Sequence, residues 1–217
     1  MSRFALACCC AFAFGLAPAA AQTAPPPSPA LAAAATAPSP EALKLVAAMS
    51  KVRSFRVQLS SATGMAGTIT IVLLPAKRTK AAIAMGTMMN EMVAADGRMY
   101  TRMNGGDWHV GDMPAGGGLT DSALKAMTDP SRFRVLADRV DNGTTVGVYE
   151  VTPLVPPGAP AGFAIPPLSC TYDKATYLPR TCEIQGFTQT FEGWNDPANV
   201  VDVPVVASPA PAASPHP

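Results

Sequence analysis

The side chains with chemistry to offer are few and unevenly placed. Six of the 11 methionines fall between Met85 and Met103. Thioether sulfur is a soft donor, so this cluster in an exported chain raises the reading of a Cu(I)-binding protein. Met85-x-x-Met88 and Met89-x-x-Met92 argue against a local chelate if the segment is a strand, because residues three apart then point to opposite faces. Chelation would require cross-strand pairs or an irregular Gly86–Asn90 segment, with Met88 and Met92 the residues to replace, and no metal site is assigned. Histidine is scarce: His109 follows Trp108 at a strand and reads as a surface residue, and His216 lies in the tail. No GxSxG, HExxH, Walker-type or EF-hand pattern occurs. Gly116-Gly117-Gly118 lacks the flanking strand and lysine of a phosphate loop. Asn142-Gly143-Thr144 fits a glycosylation acceptor, but a hairpin turn explains it more simply. With no nucleophile–base pair, no catalytic residue and no cofactor are assigned, and the chain reads as non-enzymatic.

Composition narrows the classes further. The 217 residues suit one domain plus ends, with 48% hydrophobic and 14% charged residues, 23 prolines and a net charge of +1. Such a balance excludes a basic nucleic-acid binder and disorder throughout. Residues 1–21 read as a signal peptide: Arg3, an apolar Phe4–Leu16, and Ala19-Ala20-Ala21 before Gln22 as the cleavage site. A buried N-terminal helix is the alternative. The stretch is too short for a stable membrane span, and no other apolar run approaches the ~20 residues of a transmembrane helix. Ala5-Leu6-Ala7-Cys8 has the wrong order and comes too early for a lipid-attachment site. Location in the periplasm, with the signal removed, is the expectation. Cys8, Cys9 and Cys10 leave with the signal, so Cys170 and Cys182 remain in an oxidising compartment and read as one disulfide. A redox or metal pair is the alternative, but there is no CxxC spacing and no third ligand nearby. Residues 22–38 and 207–217 are proline/alanine-rich, read as a disordered linker and tail, and bound a domain at 39–206.

The elements follow from local signals. Ser39 can cap a helix with Pro40 at its first position and Glu41 at the positive end of its dipole, and Leu45, Val46, Met49 and Val52 form its apolar stripe. From Phe55 the period becomes two, giving strands over 55–60, Gly67–Leu74 and Lys80–Met85. Asp96-Gly97 predicts a two-residue hairpin that sets Ala94 opposite Met99, Met92 opposite Thr101 and Glu91 opposite Arg102. One face then carries Met92, Ala94, Met99 and Met103, and the other Glu91, Arg98, Tyr100 and Arg102. Thr120 can cap a helix LTDSALKAM, and Asp129-Pro130 opens a second helical piece, SRFRVLA. Asn142-Gly143 turns Leu136–Asp141 into Thr144–Thr152. The loop Pro153–Pro167, with Leu154, Val155, Phe163 and Ile165, is apolar enough to cover the sheet or act as a lid. Leu168–Asp173 and Leu178–Phe191 form the last strands, with Tyr172 opposite Arg180 and Cys170 opposite Cys182. Trp108 and Trp194 seal a rim, meet a partner, or pack in the core.

This order, carried by LKLVAAMSKVRSFRVQLS, GTITIVLLPAKRTKAAIAM, NEMVAADGRMYTRMNGGDW and YDKATYLPRTCEIQGF, resembles the LolA/LolB-like lipoprotein-carrier superfamily, including its LppX/LprG-type lipid-binding relatives. The resemblance implies an α+β fold: an unclosed antiparallel β-barrel, a curved half-barrel sheet, with helices covering the concave face and an apolar cavity between them. Carriers of the LolA type hold an arginine before the proline matching Pro75, where it helps latch the lid. Leu74 stands there in this chain, which points to a divergent lipid or lipoprotein binder.

Elementary physics runs the same way, because a sheet with one oily face must bury it. If the cover is incomplete, the space suits hydrocarbon, and the candidate cavity residues are Ile69, Ile71, Leu73, Met92, Met99 and Met103. The alternative is that these side chains simply fill a closed core, as methionine commonly does. The expected function is a periplasmic carrier or chaperone for a lipid or an acylated protein, a monomer in possible exchange with envelope membrane proteins. An envelope scaffold or interaction module with a filled core and the copper reading are the alternatives.

Overall fold

The computed structural model describes residues 37–113, 127–153, 166–184 and 186–206. The predicted signal peptide, nearly all of the linker, the tail, the helix LTDSALKAM apart from Met127, and residues 154–165 of the candidate lid Pro153–Pro167 lie outside them. The chain opens with α1 (Pro40–Met49). The Ser39 hydroxyl accepts from the Ala42 N–H at 3.1 Å, as its sequence position predicts.

Eleven strands follow in one antiparallel sheet: β1 (Ser54–Ser61), β2 (Met65–Val72), β3 (Arg78–Met85), β4 (Met88–Ala95), β5 (Arg98–Met103), β6 (His109–Asp112), β7 (Phe133–Asp141), β8 (Thr144–Val151), β9 (Leu168–Tyr172), β10 (Pro179–Ile184) and β11 (Phe187–Glu192). Their order is β6-β5-β4-β3-β2-β1-β11-β10-β9-β8-β7. The sheet is not closed, since β6 and β7 are its two edges, as a curved half-barrel requires. Among the described residues α1 is the one α-helix. Of the expected helices, α1 is described whole and adds Leu45 to the core, and LTDSALKAM lies outside the described residues but for Met127.

The two faces differ sharply. Rows of facing residues run across the strands, for example Val57, Ile69, Ala81 and Met92 on β1 to β4. These, with Phe55, Ile71, Ile83, Tyr149, Leu168, Tyr172 and Phe191, form the main core, to which α1 adds Leu45. The other face carries Thr171, Thr181, Thr190, Gln58 and Thr68 in one row from β9 to β2. Their side chains pair along it: Thr171 with Thr181 at 2.7 Å, and the Thr68 hydroxyl donating to Gln58 Oε1 at 2.7 Å. At one end of that polar face the segment Asn199–Val206 crosses over, and Val201 and Val203 pack with Val93 and Tyr100. Asn199 anchors it by donating to Ser54 Oγ and to the Gly193 carbonyl at 3.1 and 2.6 Å.

Three expectations are corrected. SRFRVLA is not helical: a single 3-10 turn, Pro130–Arg132, ends at Phe133, where β7 starts. Phe133 and Val135 face the core while Arg134 pairs with Glu150 on the opposite side, so period two prevails over the proline start signal. The stretch 178–191 is two strands, divided at Gly186, whose φ of +82° suits a turn. Finally, Cys170 does face Cys182, but Tyr172 faces Pro179 and not Arg180, because a bulge intervenes between Pro179 and Thr181.

Candidate functional site

Three remote segments meet at the C-terminal end of α1. Met49 and Ser50 close the helix, Val52 leads into β1, Leu73 and Leu74 leave β2, and Met127 and Thr128 approach β7. Between them lies a cavity of about 290 Å³, near the small end of ordinary ligand sites. Backbone hydrogen bonds hold its walls, with the Leu73 and Leu74 N–H groups both donating to the Arg53 carbonyl, at 2.7 and 3.3 Å. The Arg53 N–H itself donates to Asn195 Oδ1 at 2.6 Å. Among the described residues, Met49, Val52, Leu73, Leu74 and Met127 make the lining apolar, and the hydroxyl residues Ser50 and Thr128 also face it. Val52 and Leu73 are buried, whereas Leu74 is 53% exposed and stands at the mouth. Among the described residues that line the cavity none carries an ionisable side chain. Such a lining can accept hydrocarbon by burial, at about 0.8 kcal/mol per methylene.

A second cavity, about 370 Å³, flanks the other side of α1 and shares Val52 as a wall. It is more polar. Lys44, Lys51, Thr176, Tyr177 and Asn195 line it. The Lys44 ammonium donates to the Tyr177 hydroxyl at 3.3 Å and sits 5.3 Å over its ring, a cation–π contact.

The ionisable groups with shifted behaviour lie elsewhere. Burial pushes the Tyr149 and Tyr172 phenols up, which keeps them neutral in the core. Asp173 is held low chiefly by the Thr176 N–H, in a turn after β9. Glu91 is held low by Arg102, whose guanidinium also lies 4.6 Å over the Trp108 ring on the polar face. Among the described residues no group of three or more His, Cys, Asp or Glu is placed to hold a metal.

Five of the six candidate cavity residues come together at the main core, and Met103 stands apart. Ile69, Ile71, Leu73 and Met92 are buried in the main core, Met99 is half-buried against it, and Met103 is exposed. Of these, Leu73 alone is among the residues lining the 290 Å³ cavity. Met49, Val52, Leu74 and Met127 were not among the candidates. Met49 and Val52 belong to the helical stripe, and Leu74 is the position where the resemblance implies an arginine, so both signals were present. Cys170 and Cys182 are bonded, their Cα atoms 4.1 Å apart, the spacing of a non-hydrogen-bonded pair. Trp194 stacks on Phe55 and Phe191, at ring-centre distances of 5.0 and 5.9 Å, and so packs against the core. His109 is an exposed residue of β6. Asn142 and Gly143 both have positive φ, as the hairpin turn requires. Met85 and Met88 do not share a strand: a two-residue turn at Gly86-Thr87 sets them directly opposite each other on one face, the cross-strand alternative to their pointing apart.

No protein-family model matches the sequence, and no curated protein does. Among solved structures the chain is similar to LprF from Mycobacterium bovis, at 16% identity over 80% of this chain and 100% of that one, with a TM-score of 0.47. It is similar to the lipoprotein LppX of Mycobacterium tuberculosis at 14% identity, covering 72% and 94% of the two chains, with a TM-score of 0.44. A LolA superfamily protein from Nitrosomonas europaea matches at 7% identity over 70% of this chain and 90% of that one, with a TM-score of 0.31. No helix among the described residues is long and apolar enough to cross a membrane.

Proposed function

We propose that the protein is a periplasmic carrier or chaperone that binds the hydrocarbon part of a lipid or of an acylated protein without covalent chemistry. The observation that carries this reading is the apolar cavity beside α1, with flexible methionines on two of its walls and Leu74 at its mouth. Methionine has three rotatable bonds and a polarizable sulfur, so Met49 and Met127 can repack around chains of varied shape. The polar cavity across Val52 lies where a head group would rest once the chain has entered, with Lys44 and Lys51 beside it.

Native mass spectrometry of gently purified protein, with displacement of a fluorescent fatty acid, tests this. Bound lipid and saturable displacement are expected, and Met127→Glu, which sets a charge among the half-buried lining residues, should weaken uptake by about tenfold. An apo spectrum together with no displacement would sink the reading. One observation favours a second function, an interaction module with a filled core: Ile69, Ile71 and Met92 are buried together in the main core cluster. That protein would take up no probe and would instead yield a stable partner on crosslinking.

A further inference from the structure

The register of β2 to β5 gathers methionines on one face near the tip of the β3–β4 hairpin. Met65 faces Met85, and Met85 faces Met88, so three thioethers stand in a row on adjacent strands. Met103 is on the same face of β5, opposite Asn90, diagonally beside Met88. Directly opposite residues in antiparallel strands have Cβ atoms ~5 Å apart, and diagonal ones lie within reach of long side chains. Met85, Met88 and Met103 are 41%, 44% and 58% exposed, so packing does not commit them. Met65 is half-buried against the core and anchors one end.

The geometry points to a binding site for a soft monovalent cation, Cu(I), held by the thioethers of Met65, Met85 and Met88 with Met103 as the neighbouring donor. Thioethers are uncharged and soft, which suits Cu(I) and disfavours the hard divalent ions. The cation binds in its reduced state, and no electron changes hands. This site lies at the far end of β2 from Leu73 and Leu74, and does not depend on the hydrocarbon reading. Met89, next to Met88 in sequence and 40% exposed, is on the opposite face and provides an internal control.

The test is anaerobic competition against a chromophoric Cu(I) chelator. It uses the full chain with Cys8, Cys9 and Cys10 changed to serine, since thiolates would mask weaker thioethers. One Cu(I) per chain is expected. Changes around a metal's ligands already cost ~10–100-fold in affinity, so Met85→Leu/Met88→Leu should weaken binding by at least about tenfold while Met89→Leu leaves it unchanged. Thioethers carry no proton to lose or gain, so affinity should stay flat across about pH 5–8, where a histidine site would weaken on acidification. Failure to compete, an unaffected double variant, an equal loss in Met89→Leu, or a histidine-like pH profile would each overturn the site.

Discussion

A Cβ added at Gly147 would lie 2.0 Å from Cζ of Tyr172, because the tyrosine ring extends across the glycine facing it. Tyr172 is buried and stacked on Tyr177, so the ring has nowhere to retreat. Gly147→Ala should therefore lower stability by about 2 kcal/mol or more, read from the urea midpoint. On the other face, Arg102 donates to both oxygens of Glu91 at 2.5 and 2.9 Å, which outweighs the opposing effect of burial and keeps the carboxyl ionised at lower pH than usual. A carboxylate with a lowered folded pKa stabilises above its unfolded value, ~4.3, and loses that contribution as pH falls through the folded one. Glu91→Gln should thus melt lower than the parent near neutrality and show a shallower decline in Tm from about pH 5 to 3. Parallel declines in the two proteins would show the pair to be energetically silent.

Hairpins are where sequence and structure agree best. Asp96 and Gly97 adopt φ of 53° and 77°, and the resulting pairs, Glu91 with Arg102 and Met92 with Thr101, are those their alternation predicts. Cys170 and Cys182 are 12 residues apart on β9 and β10, and their bond closes a short loop. Replacing both by alanine should cost about 3 kcal/mol in urea unfolding, and an unchanged midpoint would show the bond to be dispensable. Other elements were legible only in part. Arg180 gives no local sign that a bulge will shift Tyr172 onto Pro179, because the bulge depends on the neighbouring strand. The segment after Pro130 carries a sound helix-start signal, but Phe133 and Val135 gain burial only as a strand beside β8. The Met85-x-x-Met88 spacing points apart only within a single strand, and the turn at Gly86-Thr87 makes it instead one of the cross-strand pairs that chelation would require.

At the scale of the molecule, the candidate site shows why so little of it could be read in advance. Its walls come from residues 49–52, 73–74 and 127–128, and no local periodicity brings those segments together. The sheet is two runs of chain-adjacent strands, β1–β6 and β7–β11, joined by the antiparallel pairing of β1 with β11. Each run also reaches across to the other. The first helix, from the amino-terminal run, rests against β7, and the Asn199–Val206 segment, from the carboxy-terminal run, lies on β4 and β5. The embrace is mutual. A chain severed between β6 and β7 would therefore yield halves that each carry a piece of the other's surface, so the two should reconstitute one particle when produced together and fail to persist when produced apart.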